Sequence, residues 1–267
     1  MKSKDYKLTQ NSIEGKTLFI SGGTRGIGKA IVYAFASKGC NVAFTYASSA
    51  DTANEIIADI ETNYSVKCRA YKLDILEPLT YQDVYKLFDE DFDRLDFFIS
   101  NAIISGRAVV GGFAPFMRLK PKGLTNIYTA TVSAFVVGAQ EAAKRMDKIG
   151  GGSIISMSST GNLVYTPNYS GHGTNKAAIE TMVKYAAAEL GEKNIRVNAV
   201  SGGPIDTDAL KAFPNYEEVK GEVVKRSPLS RMGEATDLTG ACLFLCGSES
   251  SWLTGQTIVI DGGTSFQ

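Results

Sequence analysis

The chain has 267 residues, 44% of them apolar and 21% charged, a composition that suits a globular protein with a large buried core and excludes extended disorder. Its 28 basic side chains balance 28 acidic ones, so no long-range field draws it to nucleic acid or to a membrane surface, and neither is expected as a partner. The four cysteines, Cys40, Cys68, Cys242 and Cys246, form no C-x-x-C pair; they read as reduced core thiols, and no metal site is expected.

The opening stretch, "MKSKDYKLTQNSIEGK", is polar and has no apolar run. It reads as neither signal peptide nor membrane anchor, so residues 1–15 are expected to form a polar extension and the cytoplasm is the expected location. Seven short apolar runs then follow: "TLFIS" (17–21), "NVAFTY" (41–46), "VKCRAYKL" (66–73), "LDFFIS" (95–100), "GSIISMS" (152–158), "IRVNAVS" (195–201) and "TIVI" (257–260). Between them lie helical patterns, beginning with Ala30, Ile31, Ala34 and Phe35, with long ones over about 126–148 and 169–190. Strands alternating with helices imply right-handed crossovers and a parallel sheet covered on both faces: a doubly wound, Rossmann-type α/β fold of seven strands forming one domain over 1–267. Composition does not shift along the chain, and no repeat or linker interrupts it. The irregular stretch 101–123, rich in glycine and apolar residues, follows the fourth strand; it is either a pocket wall or a partly buried loop.

"FISGGTRGIGKAI" sets glycines at 22, 23, 26 and 28 where the first strand turns into the first helix. Glycine permits a sharp turn and close approach to a pyrophosphate, and the helix N-terminus offers free N–H groups to an anion. A purely structural turn is the competing reading. Where NAD-preferring sites carry an acid at the end of the second strand, this chain has Tyr46. Arg25, Ser48 and Ser49 are placed to hold a 2′-phosphate instead, which favours NADPH over NADH, although Arg25 also fits a solvated surface charge.

Taken together, "SGGTRGIG", Asp74 in "KLDI", "SNAI", "MSST", Lys176, "VNAVSGGPIDT" and "IVIDGG" resemble the short-chain dehydrogenase/reductase family over nearly the whole chain. Most members carry Tyr-x-x-x-Lys with a serine thirteen residues before the tyrosine. Ser159 lies thirteen before position 172, but position 172 is His, the only one in the chain. Tyr169 and Lys176 have instead the Tyr-x6-Lys spacing of enoyl-acyl-carrier-protein reductases, and "PNY" and "GQTIVIDGG" look most like the FabL type, enoyl reductase III.

On a helix of about 100° per residue, a seven-residue step returns to nearly the same face about 10 Å along the axis. The phenol is therefore expected to be displaced from the ketone-reducing position, toward the thioester oxygen where charge develops during enoyl reduction.

The resemblance implies reduction of the trans-2 double bond of enoyl thioesters in fatty-acid synthesis, with Tyr169 as acid, Lys176 on the nicotinamide ribose, and Ser159 either catalytic or satisfying local backbone groups. It further implies cofactor contacts from Gly22, Thr24, Arg25, Gly26, Ile27, Gly28, Tyr46 and Ser48, from Asp74 and Ile75 at the adenine, from Asn101 and Ala102 beside the ribose, and from Pro204, Ile205 and Thr207 at the nicotinamide and pyrophosphate. Acyl-carrier protein or a coenzyme A thioester would be the substrate, and the family suggests a homotetramer built on the two long helices. Two departures stand out: Ile103 replaces a common glycine, and Thr131 stands where many ketone reductases have a relay asparagine.

His172 reads either as an acid or as a helix residue beside the pocket. Residues 207–232 read as a substrate flap with Phe213 and Tyr216 offering apolar surface. Its cations Lys211, Lys220, Lys225, Arg226 and Arg231 form either a carrier-protein contact or a solvated face. The alternatives in function are a ketone or alcohol oxidoreductase of 3-oxoacyl reductase type and a non-catalytic nucleotide sensor.

Overall fold

The computed structural model describes residues 13–104, 110–211 and 216–266. Seven strands, β1 (Thr17–Ile20), β2 (Asn41–Tyr46), β3 (Cys68–Lys72), β4 (Phe97–Ser100), β5 (Gly152–Ser159), β6 (Ile195–Gly202) and β7 (Thr257–Ile260), form one sheet in the order β3-β2-β1-β4-β5-β6-β7. Every pairing is parallel. The main helices are α1 (Gly26–Ala36), α2 (Ala50–Asn63), α3 (Tyr81–Asp91), α4 (Pro121–Tyr128), α5 (Ala134–Lys148), α6 (Ser170–Leu190), the short α7 (Asp208–Lys211), α8 (Tyr216–Arg226) and α9 (Thr239–Cys246).

Alternation along the strands builds two cores. Phe19 and Phe98 point to one face, where they meet Tyr81, Tyr85, Phe88 and Phe135. Leu18, Ile20, Phe97 and Ile99 point to the other, against Ile31, Phe35 and Leu245. All four β1 residues are buried because helices cover both faces. Each such aromatic or aliphatic side chain contributes about 1.5–3 kcal/mol through burial. All four cysteines are buried free thiols, and Cys242 and Cys246 belong to the second core, as packing rather than chemistry would place them.

Neighbouring strands on either side of β1 run on in opposite directions, so a crevice opens beyond the carboxyl ends of β1 and β4. This is the switch point where doubly wound sheets bind ligands.

Several boundaries differ from the sequence reading. The third and fourth strands are shorter, at 68–72 and 97–100, while the fifth and sixth each gain a residue. The long helical pattern starts earlier, at Pro121, whose fixed φ suits the first helical position. One π-helical turn, Thr129–Ser133, then separates α4 from α5. The expected polar extension ends sooner than residue 15: Ile13 is buried in the second core and the Gly15 N–H donates to the Gly39 carbonyl.

The flap comprises α7 and α8, with Phe213 outside the described residues. None of the α8 residues is buried, and a cavity of about 120 Å³ lies beneath it, lined by Pro204, Ile205, Val223, Leu229 and Ile260 among others. Tyr216 is tied down by its polar end: its hydroxyl donates to Asp206 Oδ1 at 3.0 Å. The flap cations are engaged within the chain, Lys211 with Asp206, Lys225 with Glu222, Arg231 with Asp237, Arg226 with the Thr264 carbonyl, and Lys220 over the Tyr216 ring.

Candidate active site

The glycine turn closes the end of β1. Gly22 has φ +76°, which only glycine adopts freely, and its N–H donates to Thr45 Oγ1 at 3.1 Å. Gly28, in the first turn of α1, sits so close to the turn that a Cβ there would stand 1.8 Å from the Gly22 carbonyl oxygen. From β4, Asn101 clamps the same loop: its Nδ2 donates to the carbonyls of Ser21 at 3.0 Å and Gly22 at 2.9 Å. Ser21 Oγ accepts in turn from the N–H groups of Asn101 and Ala102. Asn101 was expected beside a ribose, yet both its amide protons hold the loop, leaving only its oxygen for a ligand.

At the head of α1, Arg25 is extended and its side chain makes no cap, and no acidic residue occupies the first turn. The positive end of the helix is thus left for an anion. A Cβ on Gly26 would come 3.7 Å from Thr207 Cγ2, so the residues after β6 face the glycine turn. Thr24, Gly26 and Ile27 are half-buried along this cradle, and Arg25 is exposed. The turn at Pro204 and Ile205 is fixed by a bridge between Ile205 and Gly233. Tyr46 is half-buried at the end of β2, and Ser48 is exposed beyond it. Ile75 is buried, while exposed Asp74 accepts the Leu76 N–H at 2.9 Å. A turn without side chains, an uncapped helix end and a ring of half-buried groups fit the pyrophosphate and ribose units of a dinucleotide.

Across the crevice, Ser159 ends β5 and starts a single helical turn, Thr160–Asn162, with its Oγ accepting the Gly161 N–H at 3.3 Å. Tyr169 stands at the N-cap of α6, just after Asn168, which is left-handed at φ +63°. Its ring folds back over Gly161, where a Cβ would lie 2.4 Å from the phenol Cε1. The hydroxyl lies close enough to the Ser159 side chain for that group to lower its pKa.

The displacement expected from the seven-residue spacing is therefore altered. Tyr169 lies ahead of the helix, not on its face, and the phenol returns to the serine. Burial raises its pKa above the ordinary value of 10.0, and the Ser159 side chain opposes this. Ser159 thus serves both the turn and the phenol.

Lys176 is 7% exposed, and its Nζ donates to the Met157 carbonyl at 2.7 Å. Burial pulls its pKa down to about 8, opposed by Glu180 one turn on, which itself accepts from Ser158 Oγ at 2.6 Å. His172 lies beside the phenol, not in hydrogen-bond range of Ser159 in any described contact, and burial with the Lys176 charge lowers its pKa to about 4. It is neutral near pH 7, which removes the reading as an acid poised at neutrality. Thr131 lies half-buried in the π turn, an element that packs against α6.

A lysine whose pKa drops from 10.5 to about 8 on folding binds fewer protons in the native state between those values. The penalty is fully present below pH 8 and is relieved as pH rises toward 10.5. Replacing Lys176 by Met is expected to stabilise the cofactor-free fold at pH 7 by about 2 kcal/mol, to abolish the rise in stability between pH 8 and 10.5, and to remove turnover. Urea unfolding at pH 7 and 9.5 checks this.

Sequence reasoning passed over Phe113 and Gly161, both of which touch the Tyr169 ring. Phe113 carried a signal, as an aromatic in the apolar stretch after the fourth strand.

Comparison with known proteins places this geometry. A family model described as "Enoyl-(Acyl carrier protein) reductase" matches residues 22–265. The chain is 38% identical over 253 residues to 1-cyclohexenylcarbonyl-CoA reductase of Streptomyces collinus, covering 92% of this chain and 86% of that one. The chain belongs to the short-chain dehydrogenase/reductase family. As a member it is an oxidoreductase that works with a nicotinamide cofactor. The 7alpha-hydroxysteroid dehydrogenase of Escherichia coli K12 is 32% identical over 251 residues, covering 94% of each chain. Among solved structures, a short-chain dehydrogenase/reductase from Serratia marcescens superposes with a TM-score of 0.85 at 32% identity, over 95% of this chain and 99% of that one. No helix among the described residues of this short-chain dehydrogenase/reductase is long and apolar enough to cross a membrane.

Proposed function

We propose that the protein reduces the trans-2 double bond of enoyl thioesters, carried on acyl-carrier protein or coenzyme A, with NADPH. The observation that carries the reading is a half-buried phenol seven residues ahead of a buried lysine, with a neutral imidazole at the position four before that lysine. The bound nicotinamide supplies hydride, delivered to Cβ of the acyl group.

Tyr169 stays protonated because burial raises its pKa, and it donates to the thioester oxygen as negative charge gathers there; the enolate then takes a solvent proton at Cα, which completes the saturated thioester. Ser159 steadies the hydroxyl, and Lys176 holds the ribose and adds positive charge. Exposed apolar side chains on the two segments flanking the phenol, Phe116, Met117, Leu163 and Tyr165, suit an acyl chain. Support also comes from the Streptomyces relative, whose name denotes a thioester with a ring double bond next to the carbonyl.

Preference for NADPH rests on Tyr46 in place of an acid, on exposed Ser48, and on exposed Arg25, which makes no ion pair among the described residues. A homotetramer would bury the exposed Tyr128 and Tyr185 on the long helices.

One observation favours a second reading, reduction of a ketone. Ser159 lies near the Tyr169 hydroxyl and Lys176 is buried beneath β5, which brings a serine, a tyrosine and a lysine together despite the altered spacing, and the hydroxysteroid dehydrogenase is a relative of that kind. Purified protein with NADPH is offered crotonyl and acetoacetyl thioesters in separate assays. Faster cofactor oxidation with the crotonyl substrate is expected, and the reverse order establishes the second reading.

A further inference from the structure

Three rings meet at the start of α6. The His172 imidazole stacks on the Tyr169 phenol with centroids 5.3 Å apart and planes inclined by 25°. Phe113, from the segment before α4, stands nearly perpendicular to both, at 5.6 Å and 70° from His172 and at 6.0 Å and 87° from Tyr169. These are the offset and edge-to-face arrangements that ring quadrupoles prefer, each adding to simple burial.

The backbone holds the trio in register. A Cβ on Gly171, between the two stacked residues, would lie 2.0 Å from the Gly112 carbonyl oxygen, and one on Gly112 would lie 2.8 Å from that of Gly123. The residue before Phe113 is thus pressed directly onto the turn that carries Tyr169 and His172.

Tyr169 sits at a cap, where helical hydrogen bonding does not fix its side chain, and Ser159 is the polar side chain that acts on its hydroxyl among the described residues. The ring needs a wall. On one side Gly161 gives it room; on the other the imidazole lies flat against it.

We propose that His172, backed by Phe113, is a positioning residue that holds the Tyr169 phenol in its productive orientation by stacking, and takes no part in proton transfer. This rests on the reading of Tyr169 as the proton donor. Among the described residues, the charged or titratable groups facing the imidazole are the phenol itself and the Lys176 ammonium on the next turn; Phe113 brings no charge.

Because the chain has one histidine, its imidazole gives one set of NMR signals once any tag is removed. Those signals are expected to be shifted upfield by the neighbouring rings and to stay fixed between pH 6 and 7, below the Lys176 titration, and Phe113→Leu is expected to reduce the shift. An unshifted signal that titrates near the ordinary value of 6.5 overturns the stack.

Kinetics on whichever thioester the wild type reduces test the role. His172→Phe, which keeps a flat ring, is expected to retain kcat within about 3-fold, whereas His172→Ala loses about 10-fold or more in kcat with the cofactor KM unchanged. Equal impairment of both variants, or full activity of His172→Ala, overturns the positioning role. If Tyr169→Phe keeps its full rate, the donor assignment fails and the positioning role with it; an unchanged imidazole spectrum separates that result from a failed stack.

Discussion

Tyr169→Phe is expected to lower kcat by about 10²- to 10⁴-fold, the usual worth of a positioned acid, while leaving the dissociation constant of the cofactor within about 2-fold. Phenylalanine fills the same space over Gly161 and keeps the faces presented to His172 and Phe113. Only the hydroxyl beside Ser159 is lost. A fall in kcat with intact binding is the mark of an interaction made in the transition state alone. Isothermal titration with NADPH beside steady-state kinetics separates the two quantities. An undiminished rate removes Tyr169 from the chemistry.

Gly28→Ala should have the other large effect, on the cradle instead of the chemistry. Its methyl would stand 1.8 Å from the Gly22 carbonyl oxygen and 2.5 Å from Asn101 Nδ2. Backbone lies on one side and a clamping amide on the other, so neither can move without opening the turn. The expected cost is about 3 kcal/mol of stability, at the upper end for overpacking, with cofactor affinity falling by about 100-fold or more because the loop and helix end no longer converge. Gly240→Ala in α9, where nothing lies within 4 Å of the new methyl, serves as the control and should be neutral or slightly stabilising. Denaturant unfolding and cofactor titration of both variants check this.

Much of the fold was legible because it depends on short-range pattern. "TLFI" and "NVAFTY" are mostly apolar since helices bury both sides of the sheet, and such runs read directly as central strands. Strand starts were less legible, because residues 66, 67, 95 and 96 already have apolar or mixed character before the strands begin. The π turn at Thr129–Ser133 inserts one residue into a helical period, a change that a pattern of apolar spacing absorbs without trace.

At the site, the glycine turn could be read from spacing, since the need for close backbone approach writes itself as glycine. The fate of Tyr169 could not. Its seven-residue separation from Lys176 suggested a climb along a helix face, but the helix begins after it, and the return of the ring to Ser159 depends on Gly161 and on the left-handed turn at Asn168. The contact of Phe113 with His172 joins segments some sixty residues apart, through a crossing of glycines whose purpose shows only in three dimensions.

The central claim is that hydride is added to a conjugated carbon while Tyr169 attends the thioester oxygen. It is tested most directly by giving the enzyme NADPH deuterated at the transferable position together with equal amounts of crotonyl and acetoacetyl thioesters, and locating the label by mass spectrometry. Deuterium is expected in the saturated butyryl product. Deuterium chiefly in 3-hydroxybutyryl thioester would contradict it.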